Sequence, residues 1–81
     1  MARVVFPDHL LAYTGDTREL ELEVSSFREL VRVLEARFPG IGEELLERSS
    51  VAIDGEISHE PYLEAIAGDS EVHFLVKISG G

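Results

Sequence analysis

Apolar and polar positions alternate most regularly at "ELELEV", where Leu20, Leu22 and Val24 interleave with Glu19, Glu21 and Glu23. A period of two gives an extended strand one apolar face and one acidic face. Upstream, "RVVF" is a second short β-rich run, and "GDT" at Gly15–Thr17 is a turn signal between them. The pair predicts an N-terminal antiparallel hairpin with a long loop through "PDHLLAY". The period then changes. Phe27, Leu30, Val31, Leu34 and Phe38 recur at helical spacing, with Arg28, Glu29, Arg32 and Glu35 on the opposite side. Ser26 followed three residues later by Glu29 reads as a capping box, and Pro39–Gly40 ends the helix.

Beyond this helix the signals are shorter. "IGEELLERSS" predicts a helical turn from about Glu43, and "VAIDGEIS" two short strands around an Asp54-Gly55 type I′ turn. In "EPYLEAIAGDS", Pro61 is placed to start a helical turn and "GDS" to end it. The last strand is "EVHFLVKI", with Val72, Phe74, Val76 and Ile78 on an apolar face and His73, Leu75 and Lys77 on a mixed one. The order is ββαβ(β)β around a single long helix, an α+β layer in which a sheet wraps one helix.

Composition narrows the chemistry. A chain of 81 residues makes one domain with a modest core. With no cysteine there is no disulfide framework, thiolate metal site or thiol nucleophile. The formal charge of −9 opposes binding to nucleic acid or to anionic membranes, and suits either solubility or a basic docking surface on a partner. Its opening "MARVVFPDH" has too short an apolar run for a signal peptide or a membrane span, so a soluble, cytoplasmic chain is expected. His9, His59 and His73 do not form a metal-ligand spacing, and the serines lack a paired base. No enzyme activity and no bound metal or cofactor are therefore expected of the chain itself.

The helix ending "LVRVLEARFPG", the hairpin "VAIDGE" and the closing "AIAGDSEVHFL…SGG" are together similar to the MoaD/ThiS family of ubiquitin-like sulfur carriers, which includes the small subunit of molybdopterin synthase. The resemblance spans essentially the whole chain. It implies a β-grasp fold, a mixed sheet of four to five strands on one main helix, as a single domain over residues 1–81 with a flexible tail at 79–81. It also implies a chemistry. An ATP-using, ubiquitin-activating-type enzyme adenylates the terminal carboxylate, which becomes a thiocarboxylate and gives its sulfur to a synthase such as the molybdopterin synthase large subunit.

Carried onto this sequence, the reacting group is the carboxylate of Gly81, and Ser79, Gly80 and Gly81 are the segment that enters a partner's site. Glycine suits that task because it lacks Cβ and fits narrow channels. Leu75, with His73 and Lys77 beside it on the mixed face, is expected to dock the partner, as this sheet face does in the family. One departure bears on the route. Carriers of the molybdopterin type often have prolines before the last residues, whereas "VKIS" has none. Length favours that branch, while "FPDHLLAYTG" and "AIAGDS" resemble carriers of cysteine biosynthesis. Molybdopterin leads, with thiamine and cysteine open. Two other roles share the same sequence features: a protein modifier joined to target lysines through Gly81, and a β-grasp interaction domain whose glycines are incidental.

Overall fold

The computed structural model describes residues 1–58 and 64–77. Five strands form one mixed sheet: β1 (Ala2–Val5), β2 (Glu19–Leu22), β3 (Ser49–Ile53), β4 (Glu56–Ser58) and β5 (Glu71–Val76), in the spatial order β2-β1-β5-β3-β4. β1 and β5 run parallel at the centre, and every other neighbouring pair is antiparallel. The helix α2 (Phe27–Arg37) covers one face, giving the β-grasp architecture expected from the sequence.

Helix α2 starts where the capping residues place it. Ser26 has extended backbone and its Oγ accepts from the Glu29 amide at 3.1 Å. The reciprocal bond differs from the usual box, because the Glu29 carboxylate accepts from the amide of Ser25, one residue before the cap, at 2.9 Å. Phe27, Leu30, Val31 and Leu34 are buried, whereas Phe38 is the half-buried C-cap and its ring meets Phe6 edge-on at 6.4 Å. Phe74 fixes the middle of the core, stacked on Phe6 at 6.2 Å and tilted against Phe27 at 6.0 Å. Both contacts lie within the favourable range for aromatic pairs.

Four expectations are corrected. The loop through "PDHLLAY" is instead a 3-10 turn (Asp8–Leu10) running into a short helix α1 (Leu11–Thr14), which buries Leu10 and ends on Gly15 at φ 65°. The turn near Glu43 is a longer helix, α3 (Ile41–Glu47), which buries Ile41 and Leu45. It starts earlier because the Glu35 carboxylate accepts from both the Gly40 and Gly42 amides, at 2.9 and 2.8 Å, closing the α2–α3 connection. Strand β2 stops at Leu22, whose pairing with Ala2 is the last in the β1–β2 register. The next stretch pairs instead with residues 64–66, through Phe27 N to Glu64 O and Ile66 N to Ser25 O. Finally, the apolar face of β5 ends at Phe74. Val76 is 59% exposed because the buried cluster does not reach the end of the strand, where its neighbour is Ser49.

The predicted hairpin is present in detail. Asp54 and Gly55 both have positive φ, 51° and 84°, as a type I′ turn requires. Asp54 also does something its turn role does not demand. Its carboxylate accepts from Ser70 Oγ and the Glu71 amide, both at 2.9 Å, and so ties the hairpin to the start of β5. The helical turn placed at Pro61, as well as Ile78, lies outside the described residues.

Candidate functional site

The sheet's outer face, opposite α2, is assembled by strand register. His73 on β5 lies between Val5 on β1 and Ala52 on β3, and these are flanked by Glu19 on β2 and Ile57 on β4. One step along, Leu75 sits opposite Ser50. The result is an apolar strip of Val5, Ala52, Ile57 and Leu75 with His73 inside it. Ile57 is 52% exposed and Leu75 38%, while Val5, His73 and Ala52 are half-buried.

Charge frames this strip. Arg3 and Glu19 form an ion pair across β1 and β2, and the hydrogen-bonded guanidinium is held further above its ordinary pKa by that carboxylate. His73 Nε2 lies 2.9 Å from Glu71 Oε1. Glu21, Arg3 and Glu71 follow one another across the sheet, so the end where β5 begins is predominantly acidic. At the other end, Lys77 is exposed and its amide donates to the Arg48 carbonyl at 3.2 Å, keeping the chain in line after the strand ends.

Of the residues expected to dock a partner, His73 and Leu75 share the outer face, and Lys77 follows them at the strand's exit. Ser79, Gly80 and Gly81 lie outside the described residues. The sequence reading missed Val5, Ala52 and Ile57, which only register brings together. One signal was available: the Asp54-Gly55 turn pairs Ile53 with Glu56 and therefore Ala52 with Ile57. It also missed Val76, so β5 ends with exposed apolar side chains on both faces.

Among the described residues no group of three or more His, Asp or Glu is placed to hold a metal ion. His9 Nε2 is 3.2 Å from Ser49 Oγ, and its buried Nδ1 has no hydrogen-bond partner among the described residues. No helix among those residues is long and apolar enough to cross a membrane.

A family model, the ThiS family, matches residues 4–81. The chain belongs to the ThiS family. No curated protein matches it. Solved structures share its fold at low identity. CysO of Mycobacterium tuberculosis, an antigen, superposes with a TM-score of 0.85 at 20% identity, over 96% of this chain and 100% of that one. Small archaeal modifier protein 1 from Methanosarcina acetivorans gives 0.80 at 18% identity, over 99% and 95%. A putative molybdopterin converting factor subunit 1 from Pyrococcus furiosus gives 0.67 at 18%, over 95% and 97%.

Proposed function

We propose that this ThiS-family chain is a sulfur carrier loaded at the carboxylate of Gly81 and docked through its outer sheet face. The observation that carries this reading is the family match running through residue 81, joined to an exposed apolar strip on the strand that leads there. A carboxylate is a poor electrophile. A partner enzyme using ATP joins it to AMP, releasing pyrophosphate, and hydrosulfide from the sulfur source then attacks the acyl carbon and expels AMP, leaving a thiocarboxylate. The chain supplies no acid, base or nucleophile to these steps and binds no cofactor of its own. Its residues position the terminus, with Val5, Ala52, Ile57 and Leu75 excluding water against the partner and His73 and Lys77 orienting it.

The sulfur then passes to a synthase in cofactor or metabolite biosynthesis. Molybdopterin, thiamine and cysteine routes are the candidates, and a molybdopterin synthase large subunit is the first acceptor to try. Proteins named CysO and a molybdopterin converting factor subunit both share the fold. Intact mass spectrometry after coexpression with an adenylating enzyme and a sulfur source tests the reading. A mass increase matching one oxygen replaced by sulfur, absent when Gly81 is deleted, is the expected result. An unchanged mass while the adenylating enzyme loads a known carrier would refute it.

The likeness to small archaeal modifier protein 1 favours one second reading, in which the same activated terminus is joined to lysines of other proteins. The experiment separates the two, because conjugation produces branched adducts on targets.

A further inference from the structure

The solvent side of the helical layer carries a feature that rests on none of the residues assigned above. A groove of about 340 Å³ runs between α2 and α3, lined by Arg28, Val31, Arg32, Glu35, Gly42 and Leu46. Gly42 is buried and brings no side chain, and the Glu35 side chain lies against it where a Cβ would stand, at the floor of the groove. One wall is apolar: Leu46 is 47% exposed beside the edge of Val31. The other is cationic, with Arg28 and Arg32 one turn apart on α2.

Arg32 stands three residues from both Glu29 and Glu35, a spacing at which helical ion pairs form. Neither carboxylate closes on it. Glu29 accepts from the Ser25 amide, and both Glu35 oxygens accept from the Gly40 and Gly42 amides. Arg32 therefore has no ion-pair partner among the described residues, in a chain with 16 acidic and 7 basic residues. A guanidinium left open beside an apolar wall is a site for a group that is both anionic and apolar.

We propose that this groove docks a segment of a partner protein that presents an apolar side chain next to a carboxylate. The apolar group rests on Val31 and Leu46, and the carboxylate meets Arg32, with Arg28 flanking. Charge selects this occupant. A second copy would set −9 against −9, and nucleic acid would bring a long anionic chain into the same field. A short acidic-apolar segment instead brings few charges, to a groove where two arginines face an apolar wall. Because the groove faces away from the outer sheet face, both surfaces can be occupied together.

The test is a titration of the isotopically labelled chain with the acetylated, amidated peptide Gly-Asp-Leu-Leu-Asp-Gly, followed by amide correlation spectra. Saturable shifts are expected at Val31, Arg32, Gly42 and Leu46. Arg32→Glu, Arg32→Gln and Leu46→Glu should each weaken binding about tenfold, the size of one charge-assisted or apolar contact. Dispersion in the same spectra shows that each variant is folded. Peptides with lysine for aspartate, or serine for leucine, should not bind. The proposal is overturned by an absence of shifts, by equal binding of the lysine peptide, or by variants that bind as the parent does. Concentration-dependent shifts at the same amides without peptide would overturn it in favour of a second copy.

Discussion

Glu35 and Asp54 each place both carboxylate oxygens on donors from a later stretch of chain. Backbone amides of Gly40 and Gly42 hold the Glu35 carboxyl below the usual carboxylate range, and the Glu71 amide, with Ser70 Oγ, does the same for Asp54. A folded-state pKa below the unfolded one means that the group stabilises the fold above its unfolded value. That contribution disappears as pH falls through the folded value. Thermal unfolding between neutral pH and acid should therefore show stability falling below about pH 4. Glu35→Gln and Asp54→Asn should each flatten the decline, and a slope identical to the parent's would remove this assignment. Gly42 tests the same contact sterically. A Cβ there would stand 2.8 Å from Glu35 Oε1, so Gly42→Ala shifts that oxygen and weakens its bond from the Gly42 amide. The alanine variant should melt lower than the parent despite its better helix propensity.

At the scale of elements, the N-cap of α2 gives the cleanest measurement. Replacing Ser26 by alanine removes the acceptor for the Glu29 amide and should cost about 1 kcal/mol in denaturant unfolding, with the m-value unchanged. This helix was legible because cap, period and terminator agree along Ser26–Gly40, as they do for the Asp54-Gly55 hairpin. The 3-10 turn and α1 were not. Leu10 and Leu11 give too short a run to show a period, Pro7 interrupts it, and Gly15 reads equally well as a hairpin turn or a helix C-cap. Strand β5 shows the converse failure. Its alternation continues through Val76, but the core it implies stops at Phe74, because burial depends on what lies opposite the strand. The site divides the same way. Leu75 and His73 are readable from one strand's alternation, whereas Val5, Ala52 and Ile57 belong to three other strands, and only pairing makes them neighbours.

For the molecule as a whole, β5 is at once the centre of the core and the strand that leads to the terminus proposed to react, so stability and docking should be separable along it. Phe74 is 2% exposed and touches both Phe6 and Phe27, whereas Leu75, the next residue, is 38% exposed on the opposite face. Phe74→Ala should cost about 3–5 kcal/mol, a large part of the roughly 5–15 kcal/mol that holds a small domain together. Its effect on loading would then follow from loss of the folded state. Leu75→Glu and Ile57→Glu should change unfolding free energy by less than about 1 kcal/mol, since both side chains already meet water. They should nevertheless slow loading by the adenylating partner at least about tenfold, as expected when a charge replaces an apolar anchor at an interface. Measured side by side, melting and single-turnover loading place the three variants on different axes. If Leu75→Glu and Ile57→Glu load at the parent rate while remaining folded, the outer face is not the docking surface. The partner must then be engaging the carrier elsewhere, and the strip of Val5, Ala52, Ile57 and Leu75 would need another occupant.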